Sequence, residues 1–188
     1  MTEARKAVWG ILQEHISSES LLKHCLAVEI AMRAYAEKFG ENQDYWGDIG
    51  LLHDIDFEKF PDEHPYQAGV LLKPYGYDEA FITNIESHDR AWPGDRTLLQ
   101  KTLLAVDELT GFIIACALVR PDKSLENLEV KSVMKKMKDK AFAKAVNRDT
   151  IINSANDMGI ELREHIQFVI QALAKTNQQP DYQSVALL

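Results

Sequence analysis

Six side chains able to ligate a metal stand along the chain in the order His24, His53-Asp54, His64, His88 and Asp107. Neutral imidazoles and carboxylates together suit one or two divalent transition-metal ions, among them Fe, Mn, Zn, Co and Ni. A set without thiolates does not fit a structural zinc site. Each residue also has an ordinary reading. His24 shares an inward helical stripe with Leu21, Val28 and Ala31, where a histidine often bonds only to backbone. Asp107 lies within LLAVDELTGFIIACALV, and a carboxylate buried there requires either a salt bridge to Arg or Lys, or a metal. His53-Asp54 follows the apolar run IGLL. Adjacent helical residues point about 100° apart, so the pair can flank one ion from two sides or simply end a helix at the surface. The members of the set interrupt three separate apolar patterns. His15 and His165 stand outside it and read as surface or partly packed residues.

The elements that must position these residues are helical. Ser18 or Ser20 can cap a helix through LLKHCLAVEIAMRAYAEKFG that stops at Gly40. Asp44 can begin DYWGDIGLLHD, His64-Pro65 can open PYQAGVLLKPYG, and Asp78 can cap DEAFITNIESHD. A long apolar helix follows over about 97–119, ended by Arg120-Pro121. Residues 130–146 carry Val130, Val133, Met134, Met137, Ala141 and Ala145 at helical spacing, which predicts an amphipathic basic helix. Two more helices are expected over 149–158 and 160–175. Alternating strand patterns, internal repeats and low-complexity tracts are absent. The fold class is all-α, a compact multi-helix bundle. Residues 1–175 form one domain with a core at 18–120 and a C-terminal helical part at 121–175, and 176–188 read as a loosely held tail.

Composition narrows the function. The 188 residues are 46% hydrophobic and 27% charged, enough for a core that needs no disulfide or structural metal. With 21 basic and 29 acidic residues the net charge is -8, which argues against general nucleic-acid binding. Residues 41–62 hold seven acids and one lysine, whereas 120–148 hold nine basic residues and four acids. Cys25 and Cys116 fall in apolar helical patterns and suit a reducing compartment. The stretch MTEARKAVWGILQEHISSES has no signal-peptide core, and FIIACALV is too short to span a bilayer. A cytoplasmic protein without membrane contact is expected.

The ordered set, with its contexts LLKHCLAVEIAM, GLLHDID, EHPYQAGVLL, IESHD and LLAVDEL, resembles the HD-domain superfamily of metal-dependent phosphohydrolases over about residues 20–120. Residues 107–150 also resemble the C-terminal part of a narrower bacterial family of HD-domain hydrolases. The resemblance implies an all-helical fold with a metal centre in its core. It makes His24, His53, Asp54 and Asp107 the ligands of the shared site, and His64 and His88 the two extra ligands of dinuclear members. Asp54 would then bridge both ions and be the catalytic aspartate. Some relatives read HDIGK where this chain reads HDIDFEK, so Lys59 stands for their phosphate-contacting lysine at a shifted spacing. No GYP triplet is present, so hydrolysis of cyclic-di-GMP is not implied.

The implied activity is hydrolysis of a phosphoester or phosphoanhydride bond by a metal-activated water. The substrate would be a nucleotide or other small phosphorylated metabolite. Arg120, Lys135 and Lys136, with Lys131, Lys138 and Lys140, form the basic reserve that could bind it, or else only a solvated helix face. Asp56, Glu58, Glu86, Asp89 and Glu108 are candidates to orient the histidines. The six-ligand set also resembles di-iron oxygenases of the same fold, and a non-catalytic nucleotide- or metal-binding module is the remaining alternative.

Overall fold

The computed structural model describes residues 2–175 and 187–188, and among them the regular elements are all helical. Most helices start where a side chain takes up a free amide. Thr2 accepts from Arg5 at the start of α1 (Glu3–His15), and Ser18 accepts from Leu21 at the start of α2 (Glu19–Phe39). Asn42 accepts from Asp44 and Tyr45 before α3 (Gln43–Leu52). After the short α4 (Ala68–Leu72), Asp78 caps α5 (Glu79–Glu86). Thr97 and Gln100 form a reciprocal capping box on α6 (Leu98–Leu118). Then come α7 (Val130–Met137), α8 (Arg148–Asp157), capped by Asn147, and α9 (Leu162–Ala174), capped by Glu161. Each such cap contributes about 1 kcal/mol. Gly40 ends α2 at φ 73°, a left-handed conformation that glycine adopts without steric cost.

Helices α2 and α6 form the centre. Every residue from Cys25 to Met32 is buried, because α2 packs against α3, α6 and α9. The approach of α3 is close enough to require glycine. A Cβ at Gly47 would stand 2.5 Å from Arg33 Nε, and one at Gly50 would stand 2.9 Å from Met32 Cγ and 3.1 Å from Glu29 Cα. These two positions, one turn apart, set where α3 ends against α2. His53 and Asp54 follow immediately.

A buried charge cluster fixes the same region from the other side. Glu29 is fully buried, and Arg5 donates to both its carboxylate oxygens at 2.8 and 2.6 Å. Arg33 donates to Glu29 at 2.9 Å and reaches Asp44 at 2.7 Å, so α1, α2 and α3 are tied together. Removing one partner of such a cluster typically costs about 3–5 kcal/mol, because the other charge stays buried.

Three expectations need correction. The helix opened by His64-Pro65 starts later, at Ala68, because residues 53–67 form successive turns and the Gln67 amide is held by the buried Asp56 carboxylate at 3.0 Å. The helix expected over 130–146 stops at Met137. Residues beyond it turn, Ala143 takes φ 40°, and the Arg148 guanidinium donates to the carbonyls of Phe142, Ala143 and Val146. His165 is fully buried rather than at the surface. The N-terminal helix α1 was not foreseen. The expected loose tail falls outside the described residues at 176–186, and Leu187 packs against the core. Among the described residues, no helix is long and apolar enough to cross a membrane.

Two outcomes follow from this packing. Gly50→Ala is expected to destabilise the fold by about 1–3 kcal/mol in urea melts, because α3 must move away from α2. His165 concerns pH. Tyr35 donates its hydroxyl proton to Nδ1 at 2.6 Å, and the Nε2 proton goes to the Ala105 carbonyl at 3.0 Å, so the ring is satisfied while neutral. Burial lowers its pKa from 6.5 to about 4. The unfolded chain therefore binds a proton the fold refuses, and stability present above 6.5 is lost as pH falls towards 4. The gap corresponds to about 3 kcal/mol. In melts across this range, His165→Gln is expected to flatten the dependence by about that amount.

Candidate metal centre

Four elements bring the six residues to one place. His24 lies in the second turn of α2 and Asp107 midway along α6. His53 caps the end of α3, with Asp54 and His64 in the turns that follow, and His88 stands just past α5. They form two groups, His24 with His53 and Asp107, and Asp54 with His64 and His88.

In the first group, His24 Nε2 is 3.2 Å from His53 Nε2 and 3.1 Å from Asp107 Oδ1, and His53 Nε2 is 3.6 Å from Asp107 Oδ1. The second group repeats the pattern. His64 Nε2 is 3.1 Å from His88 Nε2 and 3.3 Å from Asp54 Oδ1, and His88 Nε2 is 3.7 Å from Asp54 Oδ1. Asp54 also touches the first group, with Oδ1 3.3 Å from His53 Nε2 and Oδ2 3.5 Å from His24 Nε2. Ligands about 2.1 Å from a common ion lie about 3.0–3.4 Å from each other in octahedral or tetrahedral arrangements. Two of the three separations in each group fall in that range and the third, 3.6 or 3.7 Å, slightly exceeds it, so each group could hold a divalent ion.

The rings are oriented by their other nitrogens. His53 Nδ1 is 2.8 Å from the Gly50 carbonyl and His88 Nδ1 is 2.5 Å from that of Ile85. Both carbonyls lie in the last turn of a helix, and that of Ile85 also accepts the His88 amide at 3.1 Å. An Nδ1–H donated there leaves each Nε2 lone pair facing inward. His64 donates Nδ1–H to Asp56 at 2.7 Å, and Asp56 is itself fully buried. Of the five acids considered for such a role, only Asp56 contacts a ring of the set. Glu58 caps the amides of Ser17 and Ser18, Asp89 accepts from Tyr66, and Glu108 accepts from the Asn147 amide.

The electrostatics draw positive charge into both groups. Burial would lower the His53 pKa, but Asp54 and then Asp107 outweigh it and raise the value to about 9. For His64 burial is again opposed, chiefly by the bond to Asp56 and by the Asp54 charge, and the pKa is raised. His88 moves the other way, lowered by burial and by neighbouring His53. Burial would raise Asp107, yet His24 and His53 hold it well below the usual carboxylate range. Cys25, buried beneath Asp54, has its thiol pushed well up by burial and by the Asp54 and Asp107 charges. Among the described residues, neither group of potential ligands includes a cysteine.

The lysines and arginine expected to bind substrate are elsewhere. Lys59 turns to the end of α1, with Nζ 2.7 Å from His15 Nδ1 and 3.4 Å from the Glu14 carbonyl. Arg120, Lys135 and Lys136 do gather, but around a separate cleft of about 430 Å³ that none of the six residues lines. The reason is length, since α6 runs about 16 Å from Asp107 to Leu118. Arg120 is also neutralised by Asp122 at 2.9 and 3.0 Å.

Arg96 escaped the sequence reading. Its guanidinium donates to the carbonyls of Ser87 and Asp89 at 2.8 and 2.6 Å, clamping the turn that carries His88. Nothing in its local sequence signals this, because the contact is to backbone. The histidine clamps were nearer to legible, since a histidine placed three residues after a carbonyl in a helix's last turn is a recognisable spacing.

Asp56→Asn keeps an acceptor for the Gln67 amide but removes the charge opposite His64. It is expected to weaken binding of a divalent ion by about 10- to 100-fold in a competition titration, with the fold intact.

No curated protein and no solved structure matches the chain significantly. A family model described as the HD domain matches residues 21–174, from the start of the His24 helix to the last residue of α9. With a His-Asp pair at the end of one helix and four further residues able to ligate a metal converging on it, the chain belongs to the HD-domain family.

Proposed function

We propose that this protein is a metal-dependent phosphohydrolase that cleaves a phosphoester or phosphoanhydride bond of a nucleotide or other small phosphorylated metabolite. The observation that carries this reading is the position of Asp54, whose carboxylate lies within 3.3–3.7 Å of imidazoles from both groups. His24, His53 and Asp107 would hold one ion, His64 and His88 a second, and Asp54 would bridge them. When bound, such ions supply positive charge to phosphoryl oxygens and make water acidic near neutral pH.

The protein's own residues set the direction of approach. The side chains of His53 and His88 keep 0% and 6% of their surface, whereas His24 and Asp107 keep 23% and 22%. Substrate therefore enters over His24 and Asp107. The closed side is sealed by the Gly50 and Ile85 carbonyls, which hold the Nδ1 protons of His53 and His88 and keep their Nε2 atoms available. Asp56 does the same for His64.

Asp54→Ala is expected to lose bound metal and phosphoester hydrolysis together, measured by elemental analysis and a screen of phosphorylated metabolites. Full metal occupancy in that variant would contradict the reading. Two irons in the wild-type protein, with oxygen consumption and no hydrolysis of any phosphoester or phosphoanhydride, would assign it to oxygen chemistry instead.

A further inference from the structure

Two clefts meet at His24. On α2, Ser20 and His24 are one turn apart and line both, so they form a ridge between them. On one side, a cleft of about 490 Å³ runs between α2 and α6 along Gly111, Ile114 and Leu118, with Leu187 also lining it. On the other, a cleft of about 420 Å³ runs between α2 and the turns after α3, along Leu21, Phe57 and Pro61. The ridge ends at the centre, where His24 Nε2 lies 3.1 Å from Asp107 and 3.5 Å from Asp54.

The two walls have distinct chemistry. Asp107, Gly111, Ile114 and Leu118 fall on one stripe of α6 at helical spacing, so the apolar wall continues directly from a proposed ligand. Among the described residues, a Cβ at Gly111 would meet nothing within 4 Å. Across the ridge, Phe57 is 46% exposed and lies edge-on to the His64 ring at 5.1 Å. A half-exposed aromatic face beside the centre suits stacking of another ring. Among the described residues lining the two clefts, the one lysine or arginine is Lys23. Lys23 is paired with Glu19 at 3.0 Å, Glu58 lines the Phe57 side, and Lys59 is turned to His15.

Resting on the hydrolase reading above, we infer that the substrate is a phosphodiester with organic groups on both sides of phosphorus, an aromatic ring lying against Phe57 and an uncharged apolar group along Gly111 and Ile114. A monoester would fill one cleft only, and a pyrophosphate would place charge where the walls are apolar or acidic and the one lysine, Lys23, is paired with Glu19. Each cleft is of the size that takes a small organic group.

The test compares two monoanions whose P–C bonds are not hydrolysed. Diphenylphosphinate is expected to bind the metal-loaded protein about tenfold more tightly than methyl(phenyl)phosphinate by calorimetry. Phe57→Ala and Gly111→Leu should each remove most of that advantage. Metal content and Tm, measured alongside, identify any variant whose centre has been disturbed. Equal affinities, or an advantage that survives both substitutions, would overturn the inference. Turnover separates it from the reading it rests on. Faster hydrolysis of bis(4-nitrophenyl) phosphate than of 4-nitrophenyl phosphate or pyrophosphate supports both. A preference for the monoester or pyrophosphate overturns the diester inference and keeps the hydrolase. No hydrolysis of any, with the phosphinate advantage intact, overturns the hydrolase and keeps the paired clefts.

Discussion

Two carboxylates set into an apolar helical core must meet positive charge there, and the surroundings of residues 24, 53–64, 88 and 107 answer that demand. Asp54 and Asp107 lie among four imidazoles whose Nε2 atoms point inward. Each carboxylate raises the proton affinity of rings near it, and the pKa values of His53 and His64, one in each group, are raised. A proton and a divalent ion satisfy the same demand, and the proposed chemistry depends on the second replacing the first.

The scaffold meets that demand with two kinds of support. His24 and Asp107 sit within the long central helices, where packing on several sides fixes their backbone. The other four candidate ligands stand at or beyond helix ends, where carbonyls of the last turn and the buried Asp56 aim the histidine rings. Gly47 and Gly50 link the two arrangements, because the close seating of α3 on α2 carries His53 to His24. A change at this contact would move a ligand without touching the centre.

Much of this was legible in the sequence, for a physical reason. Ligands inside helices break a 3.6-residue apolar pattern, so His24 and Asp107 stood out, and caps such as Ser18 and Asp78 gave helix starts that the structure repeats. The basic segment was read less well. Its spacing suited a helix to residue 146, but Arg148 binds the carbonyls that such a helix would have paired internally, a contact with no local signature. Charge alone suggested that Arg120, Lys135 and Lys136 serve the centre, yet the length of α6 carries them to another cleft. His165 looked peripheral because its partners, Tyr35 and the Ala105 carbonyl, are far away in sequence.

The paired groups, rather than either alone, distinguish the proposed centre from a single-ion site. The most direct measurement is an anomalous-difference map from crystals of the manganese-loaded protein. The account predicts two peaks about 3.5–4 Å apart, one within ligand distance of His24, His53 and Asp107, the other of His64 and His88, with Asp54 reaching both. A single peak, or manganese bound away from these six residues, would contradict it.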